Sequence, residues 1–316
     1  MVAYSAGIDV SKATLDVGIW PQRIDPFQLK NTPQGFTELI ARLHQLEVER
    51  VLLEATGGYE KPAFKALQKA GFNVICINPA RSHQFARAMG RKAKTDKIDA
   101  LMLAQFARTI EASPIVETSE ERDELAELVK QRDRFVQQRD DEKRRIRQAS
   151  SSLVIENYIR HLAYLNEQIK ALERSIEHAL KALNSQKATQ LKSVKGIGLI
   201  TTATLLAYLP ELGTLSGRQI AALVGLAPFN NDSGTKSGPR AIWGGRYKVR
   251  RTVYMSCWSM IRHTPDFKAR YQALIARGKC SKVAVVACMR VLIVRLNAML
   301  RDGTEWNEPK LQASLT

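Results

Sequence analysis

The sequence contains little cysteine, and none of it has a spacing typical of structural cysteine. No C-x-x-C pair occurs, and no histidine lies at metal-ligand spacing from a cysteine, which excludes a zinc finger and a disulfide framework. We expect all the cysteines to be reduced, packed thiols. They are Cys76, Cys257, Cys280 and Cys288.

Long apolar runs are also lacking. The N-terminus, MVAYSAGIDVSK, does not combine a basic start with a long apolar stretch, as a signal peptide does. No later segment has the roughly 18 uninterrupted apolar residues of a membrane-spanning helix. The sequence therefore predicts a soluble cytoplasmic protein without a membrane partner.

Acidic residues are few relative to basic ones. The chain has 48 Lys and Arg against 31 Asp and Glu, a formal charge of +17. Such a surplus attracts polyanions, so nucleic acid is the first partner to consider, although a generic basic protein has the same composition. With 316 residues, 45% of them hydrophobic, the chain can bury more than one core and form two or three domains.

The first 113 residues have the pattern of an α/β domain. Two apolar runs predict a β-hairpin that turns at residues 10–12. Strands and helices then alternate, which indicates parallel pairing after the hairpin. The predicted strands are 4–10, 13–20, 27–29, 51–54 and 73–77, and the predicted helices are 36–43, 61–70 and a helical stretch over 80–112.

Residues 114–190 are predicted to form a long helical middle domain. Charges dominate from residue 119 to 178, and a turn is expected at residues 150–152. The apolar residues of the second half alternate in steps of three and four, which is typical of a coiled coil. Whether this coiled coil is an internal spacer, or an arm for oligomerisation or for spanning nucleic acid, stays open. The seam residues are Ile155, Tyr158, Leu162, Leu165, Ile169, Leu172, Ile176, Ala179 and Leu183.

Residues 191–316 are predicted to be mostly α-helical. The expected helices are 199–208, 216–225, 247–263, 265–277 and 281–302, with a polar loop over 230–245. Lys195, Gly196 and Gly198 precede the first of these helices, and they form either a phosphate grip or a simple helix N-terminus. From residue 231 onwards, sixteen Lys and Arg face five Asp and Glu, so much of the positive charge lies here.

Four acidic residues of the first domain stand where a metal site would form. Asp9 and Glu54 each close an apolar strand, and Asp96 and Asp99 are one turn apart on a helix. Carboxylates brought together repel one another unless cations lie among them, and oxygen ligands select Mg²⁺ or Mn²⁺. Two such ions can clamp the attacking and leaving oxygens of a phosphoryl transfer. The alternative is that these residues are scattered surface acids.

These residues resemble the signature of a known family. The segments GIDVSK, LLEATGGYE and KTDKIDA, which contain the four acids, resemble the DEDD signature of the insertion-sequence transposases called family one-ten, relatives of the Piv invertase. The C-terminal segments GIGLITTATLLAYL, ALVGLAPFNNDSGTKSG and GGRYKVRRTVY resemble the second domain of that family. The resemblance covers both ends of the chain, and only the coiled-coil middle is generic.

The resemblance implies a fold and a composite active site. Residues 1–113 would adopt an RNase H-like fold similar to the RuvC resolvase, and the acids would bind Mg²⁺ or Mn²⁺. The serine of an SG element in the C-terminal transposase domain would attack DNA and form a phosphoserine link, and here that serine is Ser233. Such a link conserves the phosphodiester energy for rejoining. Ser237, which also precedes a glycine, is a competing candidate.

Basic residues near both sets of residues are candidate nucleic-acid ligands. Cations can hold a DNA or RNA backbone and stabilise a pentavalent phosphorus, although any one of them can equally be a solvated basic residue. Trp243 and Tyr247 lie among these charges and either stack on bases or belong to the core. The basic candidates are Lys12, Arg91, Lys92, Lys94, Lys195, Lys236, Arg240, Arg246, Lys248, Arg250 and Arg251.

The resemblance also implies partners. Proteins of this family are understood to use a structured noncoding guide RNA that pairs with donor and target double-stranded DNA, and we expect a homo-oligomer, a dimer or tetramer. The leading hypothesis is therefore an RNA-guided, metal-dependent serine recombinase, associated with the bacterial nucleoid when it is bound to DNA. The alternatives are a hydrolytic endonuclease of the resolvase type and a non-catalytic basic scaffold built around the coiled coil.

Overall fold

The computed structural model of the chain describes residues 4–21, 24–90, 95–110, 119–183, 186–230, 232–233, 236–238 and 240–306. At residues 233, 236 and 237 only the backbone is described. The chain divides into two compact units, Met1–Val116 (unit 1) and Glu117–Thr316 (unit 2). The boundary lies three residues from the predicted end of the first domain. The finer division of unit 2 into a middle and a C-terminal domain stays a prediction.

Unit 1 is built on a mixed five-stranded sheet. The strands lie in the order β3-β2-β1-β4-β5. The predicted hairpin is confirmed, because β1 and β2 pair antiparallel, and the later pairings β1–β4 and β4–β5 are parallel. The strands are β1 Tyr4–Val10, β2 Thr14–Trp20, β3 Phe27–Lys30, β4 Val48–Glu54 and β5 Asn73–Ile77.

Four described helices pack against this sheet or connect its strands. The stretch over 80–112, which has a helical pattern, contains two helices in its described part. The first ends before Gly90, which has a positive φ of 67°, and the second begins at Thr95, whose side chain accepts a hydrogen bond from the amide of Ile98. The helices are α1 Pro33–Gln45, α2 Lys61–Lys69, α3 Pro79–Ala88 and α4 Asp96–Thr109.

In its described residues unit 2 is helical, apart from four short strands in and just before the loop predicted over 230–245. The predicted bounds of its helices hold to within about one residue, and α7 was not predicted as a separate helix. The helices are α5 Glu120–Ile146, α6 Ser152–Ala182, α7 Gln186–Ser193, α8 Leu199–Tyr208, α9 Gly217–Val224, α10 Tyr247–His263, α11 Pro265–Ala276 and α12 Ser281–Asp302. The strands are β6 Pro228–Phe229, β7 Asp232–Ser233, β8 Lys236–Ser237 and β9 Ala241–Ile242.

Helices α5 and α6 pack against each other in opposite directions. Arg132 of α5 donates to Glu173 near the end of α6, at 2.8 Å, whereas Glu142 pairs with His161 near its start. Every predicted seam residue is buried or half-buried, while neighbours such as Leu153 are exposed. The helical hairpin is therefore present, whereas its assignment as a coiled coil stays a prediction.

Helix α12 is long and apolar enough to span a membrane by length and composition alone, although the sequence predicted no membrane-spanning helix. In the structure it is a core helix, because ten of its residues are buried and it packs against α9, α10 and α11. Cys288 of α12 and Cys257 of α10 are buried in the same core. All four cysteines are free, but Cys280 is exposed rather than packed, because it occupies the N-cap of α12.

Candidate active site

The position of α4 follows from small residues on the central strands. Ser5 donates a hydrogen bond to the carbonyl oxygen of Ala104 at 2.8 Å. A Cβ atom on Gly7 would lie 2.1 Å from the amide nitrogen of Ala104 and 2.3 Å from the carbonyl oxygen of Ala100. Only glycine therefore allows the helix backbone to approach the sheet this closely.

This packing brings the first turn of α4 over the end of β1. Moving two residues along a strand advances about 6.6 Å, and moving four residues along a helix advances about 6 Å. Ser5 contacts the carbonyl oxygen of Ala104, and Gly7 contacts the helix backbone between Ala100 and Ala104. One further step of the same kind pairs Asp9 with the turn that begins at Asp96. The acids of α4 and β1 are thus brought together by the register of a helix on a strand.

Glu54 reaches the same edge of the sheet through strand pairing. Strands β1 and β4 are parallel neighbours, and Ile8 pairs with Leu53. The next residues along the two strands are Asp9 and Glu54, so both residues lie at the C-terminal ends of adjacent parallel strands. The backbone therefore puts them at the same edge of the sheet.

The pKa of Asp9 is affected by all three of the other predicted acids. Its pKa is raised from 3.8 to about 6, first by burial and then by repulsion from Asp96, Glu54, Asp99 and Asp16. Like charges raise a carboxyl pKa only when they are near, because their effect falls with distance and solvent screening. The four predicted carboxylates therefore share one electrostatic neighbourhood, which argues against scattered surface acids.

The carboxylates do not close around a single point. Among the residues that the structure describes, no three His, Cys, Asp or Glu side chains are placed to hold one ion together. Asp96 is exposed, whereas Asp9, Glu54 and Asp99 are half-buried. The donor type nevertheless fits a hard divalent cation, since all four side chains offer carboxylate oxygens. Their mutual repulsion is the interaction that a cation would remove.

Two residues that the sequence analysis missed support these acids. Asp16 of β2 is buried and pairs directly with Asp9, and the amide nitrogen of the Gln28 side chain donates to both of its carboxylate oxygens at 3.0 and 3.2 Å. Ser82 of α3 is buried and donates to Glu54 Oε2 at 2.6 Å. An acid inside an apolar strand was a readable signal for Asp16. Ser82 had none, because its helix is far from Glu54 in sequence.

The loop that follows Glu54 is fixed by hydrogen bonds to another acidic residue, Glu60. Glu60 accepts hydrogen bonds from the amides of Thr56 and Gly58, at 2.9 and 2.8 Å. Gly58 has a φ of 112°, a conformation that L side chains rarely adopt. Burial, Glu60 and Glu54 together raise the pKa of the nearby Cys76 thiol to about 11, so this cysteine is protonated at neutral pH.

The predicted nucleophile lies in the short-stranded segment of unit 2. Ser233 is on β7, which pairs antiparallel with β8, and the backbone of Ser233 faces that of Lys236. The carboxylate of Asp232 accepts a hydrogen bond from the amide of Gly238 at 3.2 Å. Strands β6 and β9 flank this segment and pair with each other. The side chains of Ser233, Lys236 and Ser237 lie outside the described part of the structure.

Three of the predicted basic ligands are engaged inside unit 2. Arg246 donates to both carboxylate oxygens of Glu211 at 2.5 Å, and Lys248 donates to the hydroxyl of Tyr208 at 2.9 Å. Arg250 donates to the carbonyl oxygen of Gly244. These cations brace the fold, which the sequence pattern alone did not reveal.

The remaining basic candidates have different surroundings. Lys12, Lys195, Arg240 and Arg251 are exposed. Arg91, Lys92 and Lys94 lie outside the described residues. Trp243 and Tyr247 are 71% and 66% exposed, so neither belongs to the core.

Two family models match the chain. One, described as a transposase and defined on the DEDD transposases of IS110, matches residues 6–153, and the other, described as the transposase IS116/IS110/IS902 family, matches residues 188–272. The first match contains Asp9, Glu54, Asp96 and Asp99, and the second contains Ser233. Between them the two models cover most of the chain, in the order that the resemblance implied.

Curated relatives agree with these matches. The chain is 27% identical to the pilin gene-inverting proteins of Moraxella lacunata and Moraxella bovis, over 96% of this chain and 97% of each relative. It is 33% identical over 155 residues to an uncharacterized protein of insertion element IS110 from Streptomyces coelicolor, which covers 48% of this chain and 38% of that protein. The chain therefore belongs to the IS116/IS110/IS902 family of transposases.

Proposed function

We propose that this transposase cuts and rejoins DNA with a divalent metal ion, Mg²⁺ or Mn²⁺, held by Asp9, Glu54, Asp96 and Asp99, and with Ser233 as the nucleophile. The observation that carries the metal site is the raised pKa of Asp9, which the other three acids help to cause. The Moraxella relatives are pilin gene-inverting proteins, and this supports an activity that rearranges DNA.

The acidic group is suited to a cation by charge and by ligand type. At neutral pH, ionisation of the whole group would place three negative charges beside that of the half-buried Asp9, and a divalent ion offsets part of this charge. When bound, the ion would stabilise charge on a DNA phosphate during phosphoryl transfer. Ser82 and Gln28 would keep Glu54 and Asp16 oriented through the hydrogen bonds described above.

The serine step conserves one phosphoester bond. The hydroxyl oxygen of Ser233 attacks the phosphorus, and the bond from phosphorus to the departing deoxyribose oxygen breaks. The serine proton passes to a base, and the departing oxygen takes up a proton. Attack by a deoxyribose hydroxyl on the resulting phosphoserine reverses these events, so strands are rejoined without ATP.

We further propose an RNA-guided mechanism in which a structured noncoding RNA selects double-stranded donor and target DNA. The charge of +17 and the exposed cations support binding to nucleic-acid backbones. The strand order and the antiparallel start of the sheet support an RNase H-like, RuvC-like unit 1. The buried seam of α6 supports a coiled coil, and we propose that copies of the chain act as a dimer or tetramer.

A denaturing gel with end-labelled DNA tests the serine mechanism. The protein with Mg²⁺ and its co-purified RNA should form a covalent protein–DNA adduct that survives detergent. Ser233→Ala should abolish the adduct, and Ser237→Ala should preserve it. Asp9→Asn, or a chelator, should prevent adduct formation by the wild-type nucleophile.

The same gel separates the alternatives. A hydrolytic endonuclease of the resolvase type would cut DNA without any adduct, and Ser233→Ala would still cut. A non-catalytic scaffold would leave DNA intact, whatever residue is changed. RNA recovered from the purified protein should direct adduct formation to DNA that matches its loops, and an identical rate with unrelated RNA would contradict the guide.

A further inference from the structure

Exposed aromatic residues concentrate around the serine segment. Of the fourteen large hydrophobic residues exposed in the described part of the chain, five lie between residues 229 and 255. Isolated exposed apolar residues are normal, but a concentration of them marks an interaction site. We define the aromatic surface as the side chains of Phe229, Trp243, Tyr247 and Tyr254, which are 53%, 71%, 66% and 37% exposed.

Strand geometry puts two of these residues on the same side. Phe229 pairs with Ala241 across β6 and β9. Ile242 packs against the core of unit 2, so its neighbours Ala241 and Trp243 face the opposite way. Phe229 and Trp243 therefore point outward together, and the chain between β6 and β9 is the segment that contains Ser233.

The exposure of Trp243 is not the result of a loose loop. A Cβ atom on Gly245 would lie 2.2 Å from the amide nitrogen of Gly225, so the turn after Trp243 is pressed against the end of α9. The amide of Arg246 donates to the carbonyl oxygen of Leu223 at 2.9 Å. Trp243 is held on an anchored backbone while its indole ring stays in solvent. A preorganised exposed ring loses little freedom on binding, which favours affinity.

Helix α10 continues the surface with aromatic rings and cations. Tyr247, Arg251, Tyr254 and Trp258 are spaced by four, three and four residues, so they lie on one face of the helix. The Tyr254 and Trp258 rings meet edge to face, with centroids 6.3 Å apart. Over its 17 residues α10 carries four Lys and Arg and no acidic residue.

The chemistry of the surface selects an unpaired nucleic-acid strand. Aromatic faces stack on bases without regard to sequence, and cations between them hold the phosphates. Arg240 and Arg251 are exposed, and no ion pair within the described residues engages either one. Aromatic rings and arginine also occur together in protein interfaces, but the four basic residues of α10 and its lack of any acidic residue favour a polyanion.

We propose that the aromatic surface binds an unpaired DNA strand next to the scissile phosphate, with Trp243 stacking on a base. The choice of DNA rests on the proposed function, because the surface brackets the serine that would attack a DNA phosphate. Strand exchange requires bases beside the break to leave their duplex, and a stacking platform stabilises them in that state.

Fluorescence of the full-length protein tests the proposal with a 20-nucleotide oligothymidylate as the probe. Binding should quench the wild-type tryptophan emission, and Trp243→Phe should remove most of that quenching while it keeps the affinity within about threefold, because phenylalanine still stacks. Trp243→Ala should weaken binding roughly tenfold or more at constant salt. Tyr164→Ala, which removes another exposed aromatic ring from α6, is the control and should bind like the wild type.

Salt dependence separates stacking from charge. Arg251→Ala should lower the slope of log affinity against log salt by about 0.7, the share of one phosphate contact on a single strand. Trp243→Ala should leave that slope unchanged. Equal affinity of Trp243→Ala and Tyr164→Ala would overturn the proposal, as would absence of oligothymidylate binding by the wild type. Tighter Trp243-dependent binding of oligouridylate than of oligothymidylate would overturn the assignment to DNA.

The adduct assay tests the serine mechanism and the aromatic surface separately. Ser233→Ala should lose the covalent adduct and retain Trp243-dependent binding of the oligothymidylate. If the wild type forms no adduct but still binds through Trp243, the serine mechanism fails and the aromatic surface stands. If the adduct forms with wild-type efficiency in Trp243→Ala, the surface has no role beside the scissile phosphate, and the inference fails.

Discussion

Replacing Asp9 by asparagine should stabilise the metal-free protein at neutral pH, although it removes a proposed metal ligand. The pKa of Asp9 is about 6 in the folded chain, against an ordinary value of 3.8, because burial and neighbouring carboxylates oppose its ionisation. A carboxyl whose pKa is raised by folding contributes stability below 3.8, and that contribution is lost as the pH rises through about 6. Asparagine carries no charge and avoids the loss.

The magnitude follows from the size of the shift. A difference of about two pKa units corresponds to about 3 kcal/mol between the protonation states, and because solvent partly screens the half-buried carboxyl, about 1–2 kcal/mol of this remains. For a unit of roughly a hundred residues, 1 kcal/mol moves Tm by about 4–8 °C. The thermal transition of unit 1 in Asp9→Asn should therefore lie on the order of 10 °C above that of the wild type at pH 8 in a chelator.

The assay is thermal unfolding with a chelator, followed by circular dichroism at pH 4.5, 6 and 8. The two proteins should differ least at pH 4.5, and the deficit in the Tm of the wild type should grow as the pH rises to 8. Added Mg²⁺ should raise the wild-type Tm and leave Asp9→Asn unchanged. The exposed Asp25→Asn is the charge-matched control and should follow the wild type. A Tm of Asp9→Asn at or below the wild-type value at pH 8 would refute the clustering of these acids.

Three further substitutions probe the supports of the site and of unit 2. Gly7→Ala should lower the free energy of unfolding in urea by about 1–3 kcal/mol, because its Cβ would lie 2.1 Å from the α4 backbone. Wild-type stability of this variant would contradict that contact. Ser82→Ala should weaken Mn²⁺ binding roughly tenfold in an electron paramagnetic resonance titration, because Glu54 loses its orienting hydrogen bond. Unchanged Mn²⁺ affinity would show that Ser82 does not support the site. Arg246→Ala should lower the free energy of unfolding by about 2 kcal/mol, and the exposed Arg240→Ala should lower it by less than about 0.5 kcal/mol. Equal effects would mean that the hydrogen bonds of Arg246 to Glu211 do not stabilise the fold.

Much of the architecture was readable from local pattern. Apolar runs and their breaks placed the strands of the sheet, and apolar periodicity placed α8, α10 and α12 with the bounds that the structure has. The helical pattern over 80–112 is confirmed in its described part, but periodicity alone did not give the division into α3 and α4, which the Thr95 cap marks. Membership of the transposase family rests on residues that were also visible in sequence.

The candidate site was predictable only where its residues mark the ends of elements. Asp9 and Glu54 close adjacent strands, so sequence alone predicted that they meet. Ser82 could not be found in this way, because its hydrogen bond to Glu54 joins residues 28 positions apart. Among the basic residues, sequence could not separate Arg246, which pairs with Glu211, from the exposed Arg251.

The sequence by itself determined which segments become strands and helices and which residue types could do chemistry, because backbone preference and apolar periodicity act over a few neighbouring residues. Tertiary structure decided that α4 lies against Gly7, that Asp16 joins the acids, and that Trp243 faces solvent. These outcomes depend on the register of one element against another, and register is set by packing between parts of the chain that are distant in sequence.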